Sequence, residues 1–169
     1  MGQVEQRLKE LGFTLPDFGE VGYYGETYGQ MKAHHRVGNL LFLSGHVPER
    51  NGTILYPGRL GDTVTIEQGY EAARLVGLNC LAGIKYAVGD LDLVVSIVRS
   101  LCFVVCTPTF YDVHRVSSGA TDLFAEVLGD RGIGGRATIG VTSLARNNCF
   151  ELWLTAEVAE EASAAAARF

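Results

Sequence analysis

The first part of the fold is predicted from one stretch, Gly38-Asn39-Leu40-Leu41-Phe42-Leu43-Ser44-Gly45-His46-Val47-Pro48. Gly38-Asn39 is a turn dipeptide, and it separates residues 32–37 from the apolar run that begins at Leu40. Two short strands on either side of such a turn predict a β-hairpin. Residues 48–62, which are punctuated by glycine and proline, predict a surface loop.

A long helix is predicted after this loop. Thr65 can cap it with Gln68 as the partner in a capping box. Apolar residues then recur at helical spacing until Gly89, which stops the helix. Residues 2–11 predict a short, peripheral amphipathic helix that ends before Gly12.

Strands alternate with a second helix in the remaining chain. Residues 93–106 are rich in Val, Ile and Phe, which is typical of a strand buried on both faces. Ser117 or Ser118 can cap the second helix, which ends at Gly129. Two strands, residues 136–144 and 149–158, are predicted on either side of a polar turn.

Alternation along these last two strands sorts their side chains onto two faces. Arg136, Thr138 and Gly140 are expected opposite the apolar, helix-packing side of the first strand. In the second strand, Glu151 and Trp153 lie opposite the apolar side. We therefore expect Arg136 and Glu151 on the same helix-free face, where they form either a salt bridge or a site. Arg136 follows a glycine-rich turn, and its guanidinium fork matches a carboxylate, which favours an anion site.

Composition narrows the class of protein. The 169 residues are 47% hydrophobic and 20% charged, which suits one domain, residues 1–169. A formal net charge of −5, without a cluster of basic residues, gives no reason to bind nucleic acid. With neither a signal peptide nor an apolar run of membrane-spanning length, we expect a cytoplasmic protein without a membrane partner.

The cysteines and histidines do not predict a metal site. The four cysteines form no CxxC pair and are read as small buried hydrophobic residues. His34 and His35 are adjacent, so they point to opposite faces of a strand.

Several motifs in register resemble the Rid family, the reactive intermediate deaminases or YjgF-like proteins. They are residues 38–48, the two helix starts, and the stretch from Arg136 to Glu151, within a resemblance that covers residues 30–158. The segment Leu11-Gly12-Phe13-Thr14-Leu15-Pro16 is similar to that of the longer members. The resemblance implies an α+β, chorismate-mutase-like fold. Its mixed sheet packs on two helices, and trimers enclose a central barrel with ligand clefts between subunits. Residues 1–29 would be an N-terminal extension, and residues 159–169 a frayed or disordered tail.

The resemblance also implies an activity and its residues. The arginine at the position of Arg136 clamps a substrate carboxylate, and the glutamate at the position of Glu151 orients a water. The reaction is hydrolysis of a 2-imino acid, or its enamine tautomer, to a 2-oxo acid and ammonia, without metal or cofactor. The expected partner is thus a small carboxylate-bearing metabolite. We predict Arg136, Glu151 and His46 as catalytic. The predicted substrate-binding residues are Met31, Ser44, Gly45, Ser118, Gly135, Thr138 and Trp153.

Some positions depart from the family pattern. Met31 stands where many members have tyrosine, His46 replaces a glutamine, and Trp153 replaces a second glutamate. His46 is either a group that titrates near neutral pH or a structural histidine. Three functions remain open: a deaminase, with bulkier or aromatic substrates as one option; a specialised-pathway enzyme that uses the same clamp for another hydrolysis, proton transfer or cyclisation; and a non-catalytic trimer that binds carboxylates.

Overall fold

A computed structural model describes residues 2–159. Its main sheet has five strands in the order β1-β2-β7-β5-β6, and only the β5–β6 pair is parallel. The strands are β1 His34–Val37, β2 Leu40–Leu43, β5 Val94–Val105, β6 Gly135–Val141 and β7 Phe150–Val158, and a separate small hairpin is formed by β3 Glu49–Arg50 and β4 Thr53–Ile54. The predicted β-hairpin at Gly38 is confirmed.

Two long helices, α3 Ile66–Val88 and α4 Val113–Leu128, accompany the sheet. The capping box of Thr65 and Gln68 is present, and Gly89 ends α3 as predicted. α4 ends at Gly129 as predicted, but the prediction that Ser117 or Ser118 caps it is wrong. Both serines lie inside the helix, where their hydroxyls donate to the carbonyl of His114.

The short elements near the N-terminus are α1 Gln3–Glu10, α2 Phe18–Val21 and a 3-10 turn at Tyr24–Tyr28. Val4 and Leu8 of α1 are buried in the main core, so this helix is less peripheral than expected. The loop over residues 48–62 is also less exposed than expected, because it contains the β3–β4 hairpin and buries Glu49 and Leu60.

The core fills only one face of the main sheet. On β7, Phe150, Leu152, Leu154 and Ala156 are buried on the helix side, as predicted from their alternation. The opposite face, called the open face below, carries side chains that are partly exposed in the single chain: Val95 (44%), Val98 (41%), Ile139 (47%) and Trp153 (50%). The prediction that residues 93–106 are buried on both faces is therefore wrong for one protomer. The α+β class, with a mixed sheet packed on two helices, is confirmed.

Cys80, Cys102 and Cys149 are buried thiols, as expected, whereas Cys106 is half-buried. Burial raises the pKa of the Cys102 thiol to about 12, so it stays protonated and unreactive at neutral pH. Within residues 2–159, no helix is both long and apolar enough to cross a membrane. The predicted tail lies, apart from Ala159, outside the described residues.

Candidate active site

A cavity of about 440 Å³ lies against the open face of β7. Its walls come from the segment that follows β2, from the N-terminal extension and from the turn that precedes β7. The lining residues are Tyr24, Gly25, Tyr28, Met31, Leu43, Ser44, Gly45, Val47, Ala145, Glu151 and Trp153. Five of the ten predicted site residues therefore share one cavity: Met31, Ser44, Gly45, Glu151 and Trp153.

Glu151 and Trp153 form a fixed pair in this cavity. They are two residues apart on one strand, so both point to the open face. The indole Nε1 of Trp153 donates a hydrogen bond of 2.6 Å to Oε1 of Glu151. This bond involves one carboxylate oxygen and leaves the other available to a water or a ligand. Trp153 also packs against Phe103, with 5.0 Å between the ring centroids.

Gly45 makes room for this pair. The backbone of His46 pairs with that of Leu152 of β7, which puts Gly45 opposite the carboxylate on the open face. A Cβ at Gly45 would overlap Oε1 of Glu151 and approach Nε1 of Trp153 to 3.1 Å. Any larger residue here would displace the carboxylate.

His46 does not reach the cavity. Its side chain is fully buried on the helix side, with Nδ1 2.7 Å from the carbonyl oxygen of Ser44. Gly83 of α3 lies so close that a Cβ there would be 2.9 Å from Nε2. Burial lowers the pKa of His46 to about 4. Of the two interpretations of His46, this geometry supports the structural histidine and not a group that titrates near neutral pH.

Around His46, aromatic residues hold the N-terminal extension against the sheet. The rings of Phe18, Tyr23 and Tyr24 surround the imidazole at centroid distances of 6.2, 5.3 and 5.9 Å. The hydroxyl of Tyr23 donates to the carbonyl of Gly45 at 2.8 Å, and that of Tyr24 accepts from the amide of Val47 at 3.0 Å. Burial raises the pKa of both phenols, so they remain neutral donors. The extension thus forms a wall of the cavity.

A second buried network holds Tyr28 in the cavity wall. Its hydroxyl donates to Oε2 of Glu49 at 3.2 Å and accepts from the amide of Asn148 at 3.3 Å. Arg146 pairs with the same Glu49 oxygen at 2.9 Å and lies over the Tyr28 ring. Arg146 has a positive φ, an unfavourable conformation that its contacts with Glu49 and Tyr28 help to maintain.

Arg136 lies elsewhere. On the edge strand β6, its side chain is exposed and turned toward α4, where Nη1 donates to Oγ of Ser118 (3.2 Å) and Oγ1 of Thr121 (3.0 Å). Thr138 bonds Ser117 of α4 on the same side at 2.7 Å. The predicted faces of this strand are thus reversed, because its polar side faces α4 and the apolar side containing Ile139 is on the open face.

The expectation that Arg136 and Glu151 share a face is therefore wrong for one protomer. They lie on opposite faces, with β5 between their strands. Arg136, Thr138 and Ser118 lie on the α4 side of the sheet and are called the Arg136 cluster below. Gly135 precedes Arg136 on β6 and does not line the cavity. Since the guanidinium is exposed and has two neutral oxygen partners here, it can still bind an external carboxylate.

The sequence missed six lining residues, namely Tyr24, Gly25, Tyr28, Leu43, Val47 and Ala145. The aromatic, glycine-rich stretch from Tyr23 to Tyr28 was a usable signal, because such residues commonly line ligand pockets. The polar partners of Tyr28 could not be found from spacing, because Glu49 and Asn148 are distant from it in sequence.

Among the described residues, Glu5, Asp90 and Asp92 lie close enough together to share a cation. The Asp92 carboxylate, however, accepts the backbone amides of Gln3 and Val4 at 2.7 and 2.8 Å, and Glu5 pairs with Lys85 at 3.6 Å. The group therefore holds the start of α1 in place. None of its members lines the cavity.

Comparison with known proteins agrees with the fold. A family model described as "YjgF/chorismate_mutase-like, putative endoribonuclease" matches residues 5–158. Protein TCP17 of Trypanosoma cruzi is 31% identical over 146 residues, which cover 85% of this chain and 86% of that protein. The structure of Atu1372 from Agrobacterium tumefaciens, a protein of unknown function, is 36% identical with a TM-score of 0.82 and 93% coverage of both chains. A "putative endoribonuclease" from Shewanella oneidensis MR-1 is 30% identical with a TM-score of 0.85, covering 93% of this chain and 100% of that one.

Proposed function

The chain belongs to the YjgF/chorismate mutase-like (Rid) family, and from this membership we propose that it is an imine or enamine deaminase. It would hydrolyse a 2-imino acid, or the enamine tautomer, to the 2-oxo acid and ammonia. The observation that carries the proposal is the Glu151 carboxylate, which is fixed by Trp153 in an otherwise largely apolar cavity.

Glu151 would position the attacking water. One of its oxygens accepts from Trp153, so the other can accept a proton from water as the water oxygen bonds to the imine carbon. That addition gives a carbinolamine. Glu151 then returns that proton to the nitrogen, which makes ammonia the leaving group. The C–N bond breaks as the carbinolamine oxygen forms the C=O bond and gives its hydroxyl proton to Glu151, leaving ammonia and the 2-oxo acid. The reaction consumes one water and needs no oxidant or reductant.

Arg136 would bind the substrate carboxylate from a second copy of the chain. It cannot serve the cavity of its own protomer from the opposite face of the sheet, but it lies at the exposed edge strand. The open face carries exposed apolar side chains, including Val95, Val98 and Ile139, which favour burial against other copies. We therefore propose a homotrimer in which each site combines Glu151 of one copy with Arg136 of the next.

The word endoribonuclease in the family description finds no support in the charges of this chain. The formal net charge is −5, and the cavity contains a carboxylate. Binding of a phosphate backbone depends on neutralisation by Lys and Arg side chains. A small carboxylate-bearing metabolite fits the proposed Arg136 clamp better.

A direct assay tests the deaminase proposal. 2-Iminobutyrate and an aromatic 2-imino acid are generated in situ by an amino-acid oxidase, and the rate of ammonia release is followed with and without the protein. We expect the protein to accelerate at least one reaction above the rate in solvent. If it accelerates neither, the deaminase proposal fails, and the substituted cavity around Met31 and Trp153 then points to a different reaction.

A further inference from the structure

The cavity has a distinctive electrostatic character. Within residues 2–159, Glu151 is the only acidic residue that lines it, and three electron-rich side chains, Tyr24, Tyr28 and Trp153, lie in its walls. Among the described residues, no lysine, arginine or histidine lines the cavity. A carboxylate placed there would be repelled by Glu151, whereas a positive charge would be attracted.

Two basic residues that adjoin lining residues in sequence, Arg146 and His46, do not offset this charge. Arg146 belongs to the turn that contributes Ala145, but it is paired with the buried Glu49 at 2.9 Å. His46 is enclosed on the helix side and, with a pKa lowered to about 4 by burial, is uncharged at neutral pH. The cavity of one protomer therefore keeps the negative charge of Glu151.

Aromatic walls strengthen this preference. A cation near the ring of Tyr or Trp is attracted by the ring's quadrupole, and the attraction grows when water is excluded. Tyr28 is held in the wall by Glu49 and Asn148, and Trp153 is held by Glu151 and Phe103. Fixed rings lose little conformational entropy when a ligand binds, so more of the attraction contributes to affinity.

We propose that the cavity is a binding subsite for an organic cation, and that it selects the nitrogen end of a zwitterionic ligand. The inference rests on the proposed function only in identifying this cation with the substrate's protonated iminium nitrogen. The carboxylate end of the same ligand would lie outside the cavity, where Arg136 of another copy can bind it. Simple anionic 2-oxo acids, including the product, would bind less tightly because they lack the cation.

Two ligands of matched shape test the proposal without any turnover. Glycine betaine carries a trimethylammonium group and a carboxylate, and 3,3-dimethylbutanoate has carbon in place of that nitrogen. Trp153 is the only tryptophan of the chain and lines the cavity, so its fluorescence reports occupancy. We expect the dissociation constant of glycine betaine to be at least about tenfold lower than that of 3,3-dimethylbutanoate. A partly desolvated cation–π contact, together with attraction to the Glu151 carboxylate, gives an effect of this size.

Two variants on strand β7 test whether Glu151 causes the preference for glycine betaine. Glu151→Gln should reduce the preference for glycine betaine to about threefold or less, because only the rings would still favour the cation. Glu157→Gln is the matched control: Glu157 lies on the same face of β7, bonds Ser96 and does not line the cavity, so the full preference should remain. Equal affinities, tighter binding of 3,3-dimethylbutanoate, or no binding of glycine betaine would overturn the proposal.

The deaminase assignment can fail independently of this result. If wild-type protein prefers glycine betaine but accelerates no imine hydrolysis, the cation subsite stands and the proposed reaction does not. If it hydrolyses imines but shows no such preference, the reaction stands and the subsite does not. Arg136→Lys should weaken both ligands to a similar extent, since both carry the carboxylate.

Discussion

The cavity around Glu151 and the Arg136 cluster differ in almost every physical respect. The cavity is enclosed by aromatic walls, is held by buried anchors such as His46 and Glu49, and contains no basic side chain among the described residues. The Arg136 cluster presents an exposed cation at a sheet edge, where it is hydrogen-bonded to hydroxyl groups of α4. The cavity supplies a carboxylate, and the Arg136 cluster supplies a cation. Under the proposed homotrimer, each chain carries two halves of a site, which become complete only between copies.

The largest effect is expected from the cavity half. Glu151→Gln keeps the size of the side chain but removes the base, so turnover should fall by roughly a hundredfold or more. Binding of 2-oxobutyrate, followed by Trp153 fluorescence, should be unchanged or tighter, because a negative charge has been removed. Glu157→Gln on the same strand should keep full turnover. If Glu151→Gln kept full turnover in the imine assay, Glu151 would not be the base.

A somewhat smaller loss is expected from the exposed half. Arg136→Lys keeps the charge but loses the bidentate geometry of the guanidinium. We expect kcat/KM to fall roughly tenfold to a hundredfold, which corresponds to the free energy of a lost charge-assisted hydrogen bond. The thermal unfolding temperature should change little, because the side chain is exposed. The control is Arg7→Lys in α1, which should be neutral. Marked destabilisation with unchanged kinetics would make Arg136 a structural residue instead.

The anchors of the cavity predict a pH effect on stability rather than on rate. The pKa of His46 is lowered to about 4 in the folded state, below its unfolded value of 6.5. The unfolded chain therefore takes up the proton first, and the free energy of unfolding falls as the pH drops from 6.5 towards 4. The total loss would be on the order of 3 kcal/mol.

Urea unfolding at several pH values measures this effect. His46→Gln should show a smaller loss of stability between pH 6.5 and 4 than the wild type, because the titrating group is gone. His35→Gln, at an exposed position, should behave like the wild type. If wild type and His46→Gln had parallel pH profiles, burial of a neutral His46 would be refuted.

The structure could be predicted from the sequence better around the cavity than around the Arg136 cluster. The capping box of α3 and the alternation along β7 are local signals, and both gave the correct structure. Alternation along β6 gave the wrong face, because the apolar side containing Ile139 was read as the core side. In the protomer that side is open, while α4 contacts the polar side through short hydroxyl groups such as Ser117. Apolar side chains indicate burial, but not against which surface.

Prediction of the site residues from the sequence was limited for a related reason. Trp153 and Glu151 could be paired from their spacing on one strand. Nothing local showed that Phe18, Tyr23 and Tyr24, far from His46 in sequence, would enclose its imidazole and lower its pKa. The beginning of α4 was missed because serines favour caps, although inside a helix their hydroxyls can bond the preceding turn, as they do at His114.

Mixing two impaired variants tests most directly whether the halves combine between copies. Glu151→Gln and Arg136→Lys proteins are unfolded together at equal amounts, refolded and assayed for imine hydrolysis. In a symmetric trimer with sites between subunits, about a quarter of the sites would unite an intact Glu151 with an intact Arg136. Roughly that fraction of wild-type activity should be recovered. A mixture no more active than the average of the two variants refolded separately would contradict it.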